Sequence, residues 1–269
     1  MPRHARNAPG GLVYHALNRA NGRLPLFDSA ADYAAFEKCL AEAAARVPGA
    51  RLLAYVVMPN HWHLVLWPRG DGELSEFMRV LTLTHAQRWH AHRKSAGAGH
   101  VYQGRFKSFP VQRDGHLVAL CRYVERNALR ARLVRAAQNW RWCSLWRRES
   151  TRTRAGAASD AAAVADRLRP PLHEPWPVDR PPPAAWLARV NGPQTAAEEQ
   201  AVRTSLARSR PLGSAAWVDK TAGDLGLQWT TRPRGRPRKH PRDVAKAGPT
   251  PERRPARGKP AAPRGRADD

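Results

Sequence analysis

Along the first half of the chain the hydrophobic pattern switches between a period of two and a period near 3.6, and each switch marks an element. Gly11 to Asn18 (GLVYHALN) alternates as a first strand, and NRANGR after it reads as a loop. Ser29 with Asp32 makes a helix N-cap arrangement, after which Tyr33, Phe36, Leu40, Ala44 and Val47 trace one helical face that ends at Pro48-Gly49. Tyr55 to Pro68 (YVVMPNHWHLVLWP) is an apolar run broken at Pro59-Asn60, which predicts a β-hairpin with RGDGEL as its exit loop. Ser75 to about Arg93 predicts a second helix and Val101 to Val111 another strand. A third helix follows an N-cap at Asp114, carries the stripe Leu117, Leu120, Cys121, Val124 and Ala128, and runs on to Val134. Trp140, Trp142 and Trp146 fall at its end as packing aromatics, with base stacking the alternative for one of them. The order strand, helix, hairpin, helix, strand, helix predicts an α+β fold with a mainly antiparallel sheet.

The pattern changes after Glu149, which divides the chain into residues 1–149 and three appendages. Residues 150–183 are rich in alanine, arginine and proline and read as a linker. Residues 184–230, with Trp186, Leu187, Val190, Val202, Leu206, Trp217 and Leu225 as apolar positions, predict a small helical unit, either a helix-turn-helix or a generic three-helix module. Residues 231–269 are a basic tail whose proline and glycine content predicts disorder.

Charge narrows the partners. A formal net charge of +24 and a sequence pI near 11.4 point to a polyanion, and no long basic amphipathic helix directs that charge to a membrane surface, so nucleic acid is expected. From Arg232 onward, 13 Lys+Arg against 4 Asp+Glu give 13 − 4 = +9. Within that tail RPRGRPRKHPR resembles an AT-hook, whose arginines, here Arg234, Arg236 and Arg238, enter the minor groove of A·T-rich duplex. Three cysteines without CxxC spacing suit free thiols in a reducing cytoplasm. The basic N-terminus lacks the apolar core of a signal peptide, and no membrane span is expected.

The candidate chemistry sits on the hairpin and the third helix. Alternation puts His61 and His63 on one strand face and Trp62, Leu64 and Leu66 on the other. Polar side chains in an apolar strand need partners, so the pair is either a shared metal site or two hydrogen-bonded imidazoles. His15 reads as a satisfied strand histidine, and His85, His90 and His92 as solvated or DNA-facing. Tyr123, Asn127 and Arg130, spaced by four and three, share a helical face away from the apolar stripe. Alternation along the predicted 101–111 strand puts Arg105 and Lys107 on one face, where they either contact phosphate or are merely solvated.

HWH at 61–63 followed by YVERN resembles the HUH single-tyrosine transposases. MPNHWHLVLWP, YQGRFKSFP, RYVERNALRARLV and WRWCSLW, in that order between Gly11 and Trp146, are similar to the branch called REP-associated tyrosine transposases. The resemblance implies a ferredoxin-like sheet, a divalent metal on His61, His63 and Asn127, and Tyr123 as the nucleophile that attacks single-stranded DNA beside a hairpin through a 5′-phosphotyrosine link. It implies Mg²⁺ or Mn²⁺, whereas the ligands alone would suggest Zn²⁺. It also implies a bacterial cytoplasmic, nucleoid-associated protein, monomer or homodimer. Ala128 departs from the proline many relatives carry after the asparagine. The alternative is a DNA-binding regulatory or architectural protein without catalysis.

Overall fold

In a computed structural model, which describes residues 7–154 and 169–232, the hairpin is the centre of a four-stranded sheet. Its elements, in chain order, are β1 (Val13–Arg19), α1 (Ala30–Arg46), β2 (Arg51–Met58), β3 (His61–Trp67), α2 (Glu73–Arg93), β4 (Lys107–Val111), α3 (Gly115–Glu125), the single turn α4 (Asn127–Arg130) and α5 (Ser144–Arg154). Three more helices follow, α6 (Pro183–Asn191), α7 (Ala196–Arg208) and α8 (Ala215–Leu225). The sheet order is β2-β3-β1-β4 and every neighbouring pair is antiparallel, the split βαβ arrangement of a ferredoxin-like core.

Helices cover both faces, which is why β2 and β3 read as continuous apolar runs. On one face Trp62, Leu64 and Leu66 pack with Phe36 and Leu40 of α1 and Phe77 and Leu81 of α2. On the other, Val13, Val65 and Phe109 pack with Leu117, Leu120 and Val124 of α3, and the same core takes in Trp186 and Val190 of α6 and Val202 of α7. Of the helices read at 184–230, α6 and α7 are thus built onto α3. Both outer strands are occupied: Leu212 N–H donates to Pro110 O (2.9 Å) beside β4, while Val57 N–H donates to Trp142 O (2.9 Å) and His173 N–H to Leu52 O (2.8 Å) beside β2.

The Ser29–Asp32 capping box and the Asp114 N-cap are present. All three cysteines are free and buried, and among the described residues no helix is long and apolar enough to cross a membrane. Three expectations change. The strand expected from Val101 begins only at Lys107, because residues 102–104 are held instead by the end of β1, Gln103 N–H donating to Arg19 O (2.9 Å) and Asn18 Nδ2 to Gly104 O (3.1 Å). Arg105 therefore stands on a loop. The third helix does not reach Val134: it breaks at Arg126, and after α4 the chain leaves at Arg132, left-handed at φ 59°, with Leu133 N–H donating to Ala128 O (3.0 Å).

His85 is the third change, since it is buried within the α1–α2 core, where its Nδ1 lies 2.7 Å from the Tyr102 hydroxyl, which also accepts from Trp62 Nε1 (3.3 Å). Burial lowers its pKa from 6.5 to about 4. The unfolded chain then binds a proton that the folded one refuses, so stability is full above pH 6.5 and is lost as pH falls toward 4. Urea unfolding should show a loss of roughly 2 kcal/mol from His85 between pH 7 and 5, added to the losses from the other histidines whose pKa burial lowers, His15, His61 and His63. Unchanged or rising stability over that interval would contradict the neutral buried imidazole.

Candidate active site

The two histidines leave the sheet on the face covered by α3, at the end where β3 begins. Their rings sit 5.0 Å apart at 84°. His63 is almost fully buried, and its ring lies 6.2 Å from the Tyr123 ring, edge to face. Tyr123 is placed by the last full turn of α3, and Arg130 of α4 lays its guanidinium 4.5 Å from the centre of the phenol ring. His61, His63, Tyr123, Asn127 and Arg130 all line one cleft of about 660 Å³, together with Arg105 and Lys107. The break at Arg126 does not separate Tyr123 from Asn127, because both still face that cleft.

Each histidine is held by its Nδ1. His61 Nδ1 is 2.7 Å from Asn60 Oδ1, and His63 Nδ1 is 2.9 Å from Nε2 of His15. An oxygen acceptor fixes the proton of His61 on Nδ1 and leaves its Nε2 lone pair, the arrangement a ligating histidine needs. Burial, reinforced by Arg19 and Arg130, lowers the His61 pKa from 6.5 to about 4; burial and the neighbouring imidazoles hold His63 well below its ordinary value, and burial alone takes His15 to about 3. All three rings are therefore neutral at pH 7, the form that can bind a metal.

Asn127 is 2 % exposed and its Nδ2 has no hydrogen-bond partner among the described residues. Amide nitrogen and oxygen exchange by a half turn, so the same volume can present an oxygen. Among the described residues no three His, Cys, Asp or Glu side chains form a metal cluster, so an ion here would take two imidazoles and this amide. The two neutral, anchored imidazoles and the unsatisfied amide fit a divalent ion.

The sequence reading missed several contributors. Arg19, at the end of β1, and Arg203, Leu206 and Ala207, on one stripe of α7, line the cleft, and among the described residues no lining side chain is acidic. His15 is only half the satisfied histidine its strand pattern predicts: its Nε2 meets His63, and its Nδ1 has no hydrogen-bond partner among the described residues. Arg122, Glu125 and Arg126 alternate with Tyr123 and Asn127 and clamp the helix that carries Tyr123 from behind. Arg122 donates to Pro193 O (2.7 Å) and Arg126 to Asn191 O (2.6 Å), capping the C-terminal end of α6. Glu125, with no exposure, accepts from Ser144 Oγ (2.5 Å), Arg148 (2.5 Å) and Trp186 Nε1 (2.7 Å). An acidic residue set four positions after Cys121 on an apolar stripe was the available signal. Arg234, Arg236 and Arg238 lie outside the described residues.

Residues 10–127 match the family model described as IS200-like transposase. No curated protein matches. Among solved structures, the chain is similar to a REP-associated tyrosine transposase bound to a REP hairpin, at 20% identity over 55% of this chain and 84% of that one, with a TM-score of 0.45. It is also similar to a candidate transposase from Deinococcus radiodurans, at 21% identity over 41% of this chain and 87% of that one, with a TM-score of 0.33.

Proposed function

We propose that the chain, whose residues 10–127 match the IS200-like transposase model, cleaves and rejoins single-stranded DNA beside hairpins through a covalent link to Tyr123. The observation that carries the proposal is one cleft in which a tyrosine, two neutral imidazoles and an amide meet under a ring of cations. A divalent ion, Mg²⁺ or Mn²⁺, held by His61, His63 and Asn127 would supply polarisation of a non-bridging phosphate oxygen. Arg105, Lys107 and Arg130 hold the flanking phosphates. The Tyr123 oxygen attacks phosphorus in line, the bond from phosphorus to the 3′ oxygen breaks, and the products are a 5′-phosphotyrosine and a free 3′-hydroxyl. Attack by another 3′-hydroxyl reverses the step and restores the tyrosine, so no outside energy source is needed. The tail, by its AT-hook-like arginines, adds affinity for A·T-rich duplex without choosing the scissile phosphate.

The test is incubation with a labelled single strand carrying hairpins and Mg²⁺ or Mn²⁺, followed by denaturing electrophoresis. Wild type should give a covalent adduct, and His61→Ala or His63→Ala should reduce it at least ~100-fold with an unchanged circular dichroism spectrum. An undiminished adduct from the double variant would remove the metal-site assignment. Tight hairpin binding with no adduct from wild type would favour the non-catalytic DNA-binding reading. Deleting residues 232–269 should weaken A·T-rich duplex binding and flatten its salt dependence while leaving the cut position unchanged; a shifted cut would make the tail part of site choice.

A further inference from the structure

The wall of the cleft opposite the sheet is made by α7, which lies beyond the residues that match the family model. Arg203, Leu206 and Ala207, spaced by three and four, form the stripe of α7 that faces Tyr123, Arg130 and Lys107 across it. Val202 and Ser205, on the adjoining stripe of α7, are buried, and Leu206, one turn after Val202, packs with part of its side chain against the same core, so the helix is fixed in this orientation. The cleft, about 660 Å³ and open to solvent on one side, is within the range of small-ligand pockets and does not take in the body of a double helix. Arg203 is half exposed and held by Glu199 one turn earlier on α7 (2.6 Å).

We propose that α7 is the strand-selecting wall of the site, admitting one DNA strand between itself and the sheet, with Arg203 contacting a phosphate of that strand and Leu206 and Ala207 lying against its bases. The proposal rests on the assignment of the cleft to single-stranded DNA and deepens it. Cations line both walls, Arg105 and Lys107 on the sheet side and Arg203 on α7, which suits a strand with phosphates at each margin. The contacts offered to bases are aliphatic, so the wall sorts single strands from duplex without reading sequence. Glu199 competes with the incoming phosphate for Arg203 and restrains affinity.

Two substitutions of opposite sign test this by fluorescence anisotropy on a single strand, with wild-type binding as the reference. Arg203→Ala should weaken binding about three- to tenfold and lower the log-log salt slope by about 0.7, the value for one phosphate contact on a single strand. Glu199→Gln should tighten binding about twofold by releasing Arg203. The double variant should match Arg203→Ala alone, because Glu199 acts only through Arg203. Ala207→Trp, at an exposed position, should block the single strand and leave tail-dependent duplex binding intact. Wild type that binds a single strand while all four variants behave like it would overturn the role of α7 and leave the family-based assignment standing. Wild type with no affinity for a single strand would overturn that assignment itself.

Discussion

Tyr123→Phe is expected to lower covalent adduct formation by at least ~10⁴-fold while leaving strand affinity within about twofold of wild type. Only the hydroxyl is removed, so the edge-to-face packing on His63 and the Arg130 contact with the ring, both made by the ring itself, persist. The measurement is denaturing electrophoresis for the adduct beside anisotropy for binding, with peptide mapping of the wild-type adduct. Mapping to Tyr102 would defeat the assignment. The structure supplies a reason against Tyr102: its hydroxyl is engaged by His85 and Trp62 in the core on the opposite face of the sheet. Loss of binding together with the adduct would show that the hydroxyl holds DNA in the ground state, which is a different role.

The largest stability effect should come from the back of the same helix. Glu125→Ala takes from Arg148, with only 12 % of its side chain exposed, its buried carboxylate and leaves it to Glu174 and Leu53 O; it strands Trp186 Nε1 and leaves Ser144 Oγ with Tyr55 alone. Breaking a buried pair by removing one partner costs about 3–5 kcal/mol, a large share of the ~5–15 kcal/mol available to a domain. Urea unfolding should show the midpoint falling with little change in slope. Glu125→Gln, which keeps an acceptor for Ser144 and Trp186, should cost clearly less. A loss below ~1 kcal/mol for the alanine variant would mean that the clamp contributes little.

What the sequence made legible follows from which interactions are local. The period of two places His61 and His63 opposite Trp62 whatever else the chain does, and the stripe from Leu117 to Ala128 fixes which side of α3 is buried. Tyr123 and Asn127 then had to face elsewhere. His85 was misread because one histidine on an amphipathic helix looks alike whether solvated or buried; its partner Tyr102 lies beyond the end of its helix. Arg105 was given a strand conformation because alternation extended backward past the point where Arg19 and Asn18 capture the chain. The α7 wall could not be read at all, since what holds it to α3 is distant in sequence: Val202 enters the α3 core, and Arg122 reaches Glu198 some 76 residues away along with backbone acceptors after α6 that leave no trace in the residue pattern.

The covered borders of the sheet bear on how copies of the chain meet. An antiparallel sheet with a bare outer strand can be continued by the same strand of a neighbour, the easiest route to a two-fold dimer and also to runaway stacking. Leu212 occupies that route beside β4, and Trp142 with His173 occupies it beside β2. These contacts obstruct strand addition at both borders, and copies that meet elsewhere share a strongly positive charge. A polyanion threaded between two copies would screen that repulsion.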